Sequence, residues 1–131
     1  MKYALLFWLL SAAPALADGC ALDPRSAPDR PLLLPGVVRG PATEAEVLSG
    51  TRIAIERTHA PVSPKYVNLP RVVVFYELGG VQHATIAAVL DGILPQPGDP
   101  VTIASRYRDP DAACAFIPWT VVKTRPAKPV A

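Results

Sequence analysis

The chain has 131 residues, with 13 Lys and Arg against 11 Asp and Glu, two His, two Cys and 16 Pro. That length supports one domain with a modest core. A net charge of only +2, with no basic stripe, lacks the footprint of a nucleic-acid binder, so no nucleic-acid partner is expected.

Met1 to Ala17 has the layout of a cleavable export signal. Lys2 gives a positive start, and the apolar run Ala4 to Leu10 falls well short of the ~20 residues a spanning helix needs. Pro14 breaks the run. Ala15-Leu16-Ala17 then offers the small residues a signal peptidase reads, which predicts cleavage between Ala17 and Asp18. A bacterial lipoprotein signal is the alternative, with Cys20 as a lipid anchor. Asp18 fits that motif poorly, and residues 17 to 19 (Ala, Asp, Gly) lack the expected Leu three positions before the cysteine. No later segment is apolar enough to span a membrane. The expected location is periplasmic or secreted.

Losing the leader removes Lys2 and leaves the remainder close to neutral. Cys20 and Cys114 are the two cysteines of the chain. An even count in an exported protein predicts a disulfide between them. Closing so long a loop is worth up to roughly 4–5 kcal/mol in loop-closure entropy. Acylation of Cys20 would instead leave Cys114 as an odd thiol.

Residues 18–50 carry Pro24, Pro28, Pro31, Pro35 and Pro41, a density that neither a helix nor a central strand tolerates. This stretch reads as a proline-rich extended arm. Its apolar piece, Leu32-Leu33-Leu34, is expected to pack on the body. Ala42 to Leu48 fits a short helix capped by Thr43, with Glu44 and Glu46 in its first turn and Ser49-Gly50 as its end.

Residues 51–124 read as a β-domain. Thr51 to Thr58 alternates, with Ile53 and Ile55 opposite Arg52 and Glu56, and predicts a half-buried strand. His59 to Pro70 is a proline loop with an edge segment near Tyr66 and Val67. Arg71 to Leu78 is rich in β-branched and aromatic residues. Gly79-Gly80 joins it to Val81–Leu90 as a type I′ hairpin, because both turn positions need positive φ. The register then pairs Leu78 with Val81, Tyr76 with His83, Phe75 with Ala84 and Val73 with Ile86. The Phe75 face sets large residues against small ones, as in a packed interior. After a turn at Leu94–Asp99, Pro100–Tyr107 is a strand with Val101 and Ile103 inward. Arg106, Arg108, Asp109 and Asp111 form a solvated, self-compensating loop. Phe116–Lys123 is the last strand, with Trp119 and Val121 on one face, and 125–131 is a flexible tail. The sum is an all-β fold: a small barrel or sandwich of five to six short antiparallel strands, with one short helix.

The hairpin followed by Pro97-Gly98-Asp99-Pro100-Val101 resembles the SH3-like or OB-like barrel modules of bacterial envelope proteins. There a Gly-Asp turn delivers a strand of alternating Val and Ile. The resemblance covers Arg71 to Ile103 and implies a barrel; it assigns no functional residue.

Chemistry is sparse. His59 lies in a proline loop. His83 faces Tyr76 and reads either as a cross-strand packing pair or as a base with Tyr76 or Asp91. No serine lies in a nucleophile motif, Cys114 has no CxxC partner, and two distant histidines supply no metal site. No cofactor is expected. Tyr66, Phe75, Tyr76, Tyr107, Phe116 and Trp119 are the aromatic resource for a binding face, with Trp119 expected to cap the core beside Cys114. Function follows as an exported, non-catalytic β-domain that binds another envelope protein or serves as a structural accessory. The alternative is a small ligand-binding or enzymatic domain using His83 and Tyr76 beside a barrel cavity.

Overall fold

The computed structural model describes residues 20–112 and 114–124. The expected leader, its Ala17–Asp18 cleavage point and the 125–131 tail lie outside the described residues. Strands β1 (Leu33–Pro41), β2 (Arg71–Leu78), β3 (Val81–Val89), β4 (Pro100–Ala104) and β7 (Thr120–Thr124) close a barrel in the order β1-β2-β3-β7-β4. A short pair, β5 (Tyr107–Arg108) and β6 (Phe116–Ile117), stands beside it. The all-β expectation holds as a barrel. One pairing departs from the antiparallel expectation: β3 and β7 run parallel, with Ala88 beside Thr120 and Val89 beside Val121. A final strand inserted between the third and fourth is a Greek-key closure, the OB-like rather than the meander arrangement.

The hairpin has the expected register, from Arg71 beside Ala88 to Leu78 beside Val81. Gly79 and Gly80 turn it at φ 62° and 79°, values only glycine adopts without strain. The barrel interior is lined by Val72 and Val74 of β2 with Val38, Ala87, Val89, Val101, Ile103 and Val121. The inward face is therefore the Val72–Val74 face; Phe75, expected there, is half-buried on the other side. Both faces are covered at the β2 start, while the hairpin tip from Glu77 to Ala84 is exposed. Val101 and Ile103 point inward as expected.

Two sequence expectations fail within residues 18–58. Leu33–Pro41 belongs to the barrel rather than to an extended arm, and Leu34 packs on the core while Leu32 and Leu33 stay exposed. The strand works because its inward positions are small: Gly36, Val38 and Gly40 alternate as buried residues. A Cβ at Gly36 would come within 2.5 Å of Val74 Cγ1, so β1 lies against β2 only with glycine there. The second correction concerns the strand expected at Thr51–Thr58. Glu44–Thr58 is one 15-residue helix, α1, running through Ser49 and Gly50. Thr43 Oγ1 accepts from Glu46 N–H, and the Glu46 carboxylate accepts from Thr43 N–H, closing a capping box. Gly50 sits mid-helix where α1 approaches β3: a Cβ there would lie 3.2 Å from Ile86 Cδ1. His59 ends the helix at φ 59°, its N–H bonded to Ile55 O.

Arg39 falls at the β1 bulge between Val38 and Gly40. Its guanidinium holds Glu46 through two bonds of 3.0 Å, a bidentate fork that fixes the start of α1 on the barrel.

A second cluster flanks the barrel. Phe116, Ala27 and Ala60 are buried together with Leu22, Ala54 and Val62 around them. Backbone bonds knit its three segments: Asp23 N–H to Thr58 O, Ser63 N–H to Phe116 O and Arg108 N–H to Pro28 O, each 2.8 Å. Tyr66 lies in a 3-10 turn, Pro64–Tyr66, rather than an edge strand.

A candidate binding cleft between the helix and the barrel

The hairpin register sets His83 opposite Tyr76. The rings stack, with centroids 5.2 Å apart and planes 20° from parallel. The Tyr76 ring also meets Trp119, at 5.0 Å and 35°. Trp119 does cap the core, and its ring partner is Tyr76. Tyr76, His83 and Trp119, the expected binding residues, thus form one aromatic wall.

That wall bounds a cleft of about 400 Å³, a size suited to a small molecule or a few side chains of a partner. Val47, Gly50, Ile53 and Ala54 of α1 form the facing side, and Ala84 to Ile86 of β3 line the adjoining strand. Arg57, Arg71, Arg106 and Phe116 also line it. The cleft exists because α1 touches β3 closely at Gly50 and Ile86 and is held at its start by the Arg39–Glu46 fork, leaving the space beyond this contact open.

Arg106 overturns the expectation of a solvated loop. It is half-buried, its Nε–H donates to Ser26 O at 3.0 Å, and its guanidinium lies 6.0 Å from the Phe116 ring centroid. Burial lowers its pKa, the charge of Arg57 lowers it further, and Tyr76 opposes the shift. Burial also lowers Arg71 and raises Tyr76. Arg71 donates to Leu69 O at 2.7 Å. Asp109 is likewise not in solvent. It is buried, accepts a short bond from Ser63 Oγ, and accepts from Asp111 N–H at 2.8 Å. Burial pushes its carboxyl up, but the Ser63 and backbone bonds outweigh it and leave the pKa lowered.

The cleft lining holds no Asp, Glu, Ser or Cys. The His83–Tyr76 contact is a ring stack, and no carboxylate in the lining orients the imidazole. The convergence of three arginines was missed, because they lie on α1, β2 and a late loop and no local spacing links them. Among the described residues no group of three or more His, Cys, Asp or Glu could hold a metal ion, and no helix is long and apolar enough to cross a membrane.

Cys20 and Cys114 come to 2.6 Å of one another. Cys114 adopts φ 62°, which turns the chain back before Phe116. Comparison with known protein families, curated proteins and solved structures finds no match to this chain.

Proposed function

We propose that this chain is an exported, non-catalytic binding module of the cell envelope that engages another envelope protein through the cleft between α1 and β3. The observation that carries this reading is the lining itself. An aromatic wall and three cations converge on a partly enclosed space whose lining holds no Asp, Glu, Ser or Cys. Export rests on the Met1 to Ala17 leader and its Ala17–Asp18 site. A Cys20–Cys114 disulfide is supported by the approach of the two residues in the fold, and it keeps Cys20 from serving as a lipid anchor. The second reading, a small ligand-binding domain centred on His83 and Tyr76, draws on the cleft's volume; its enzymatic form lacks a residue to orient the imidazole.

The test is Ala84→Trp. Ala84 is an exposed cleft residue, so the indole fills the space without entering the core. The variant keeps its thermal midpoint and loses the envelope protein that co-purifies with the wild type. Recovery of that protein at wild-type yield removes the cleft from the account. Intact mass checks export and the staple together: a chain starting at Asp18, lighter by two hydrogens than its reduced form. Acyl mass on an N-terminal Cys20 contradicts both.

A further inference from the structure

Outside the cleft, Arg25, Arg39 and Arg52 each lie within 4.0 Å of a carboxylate, and Arg30 and Arg108 stand exposed to solvent without an ion pair among the described residues. Arg57, Arg71 and Arg106 line the cleft, and among the described residues none of them makes an ion pair. Arg71 is already committed to Leu69 O. Arg106 uses Nε–H on Ser26 O and packs on Phe116, so its two terminal Nη groups have no protein acceptor among the described residues. Arg57 stands near enough to act on Arg106 as a like charge. Holding two guanidinium groups together, one of them half-buried, costs free energy through desolvation and repulsion. A proteinaceous anion between them removes both costs and gains charge-assisted bonds.

We propose that the cleft receives a carboxylate side chain from a segment of the partner protein, seated between Arg57 and Arg106, with an adjoining apolar side chain against Trp119 and Ile53. The inference rests on the cleft being the binding surface. The planar fork of each guanidinium matches a carboxylate. Trp119 and Ile53 supply the apolar contact beside it, Ile53 being 41% exposed. A polyanion would need a continuous run of cations, and the overall charge of +2 does not supply one.

Trp8 and Trp119 are the two tryptophans of the chain. Full-length protein carrying Trp8→Phe therefore reports the cleft alone, whether or not the leader is removed. The probes are acetyl-Leu-Asp-Leu-amide and its Asn counterpart, read by Trp119 emission. The Asp peptide shifts the emission saturably, and the Asn peptide binds about ten-fold more weakly, as loss of one charge-assisted contact requires. Arg57→Gln, on an exposed helix position, weakens the Asp peptide about ten-fold and leaves the Asn peptide and the thermal midpoint unchanged. Arg106→Lys is the second variant, because it keeps the charge while losing the fork, and it weakens the Asp peptide selectively. Equal affinity for the two peptides, equal loss of both in Arg57→Gln, or no response of Trp119 to the Asp peptide overturns the inference. The cleft reading fails separately, when Ala84→Trp retains the partner.

Discussion

The barrel interior and the flank beside it are built by opposite means. The interior is apolar and repetitive: eight buried aliphatic residues from all five strands of the closed sheet, six of them valine. The flank has a smaller apolar cluster around Phe116, Ala27 and Ala60, and it is pinned by polar groups. Ser63 bonds to Asp109, Thr58 Oγ1 to Ala54 O, and Arg106 to Ser26 O. Aliphatic packing gives a rigid wall but no chemistry. The polar flank delivers Arg106 and Phe116 to the cleft and brings Cys20 to Cys114. In this molecule the cleft lies where the two constructions meet.

If the flank is a true second core, its central residue matters as much as a barrel residue. Phe116→Ala costs about 3–5 kcal/mol in urea unfolding, matching or exceeding the ~2–5 kcal/mol of Ile103→Ala. A loss below 1 kcal/mol for Phe116→Ala would reduce the flank to decoration. The staple comes next. Cys114→Ser lowers stability by about 2–5 kcal/mol under oxidising conditions and by nothing further once reductant is added to both proteins. Equal unfolding curves for the two proteins without reductant would mean that no bond constrains the chain.

Ser63→Ala follows, at about 1–3 kcal/mol, because it leaves a buried carboxylate oxygen without its donor. The pH dependence has a fixed sign. The folded pKa of Asp109 is lowered, so its contribution is present above the ordinary carboxylate value and is lost as pH falls through the folded one. In Ser63→Ala burial acts with less opposition, and acid unfolding moves to higher pH. An unchanged acid midpoint contradicts the assignment.

The smallest effect is at the α1 cap. Thr43→Ala costs about 1 kcal/mol. Glu46 is held at about 2, chiefly by the Arg39 guanidinium and then by the Thr43 backbone. Its depressed pKa means that the fork with Arg39 and the capping box persist below the usual Glu range and fray as pH falls through about 2. A carboxyl chemical-shift titration of Glu46 with an ordinary Glu midpoint would separate α1 from β1.

The hairpin was legible in the sequence because its signals are local: two glycines with positive φ between two β-branched runs fix both turn and register. The Val101 and Ile103 alternation was legible for the same reason. The helix was half legible. Thr43 and the early glutamates announced its start, but Gly50 read as its end, since its close approach to Ile86 is a tertiary fact. Ile53 and Ile55 then mimicked a strand; on a helix two positions apart they point in different directions, and both remain partly exposed. β1 was hidden by Pro35 and Pro41, and by Gly36, whose value appears only against Val74. Of the cleft, Tyr76, His83 and Trp119 were legible as aromatic residues near the hairpin and the last strand. The arginines were not, since they meet only through the closure of the barrel.

The central claim is that the cleft is where this chain meets its partner. Photo-crosslinking in intact cells tests it most directly, with a photoactivatable residue at Ala84 in the cleft or at Val37, exposed outside it. The account predicts a discrete adduct from Ala84 that maps to one acidic segment of one envelope protein, and none from Val37. Adducts of equal yield from both positions, or from Val37 alone, would contradict it.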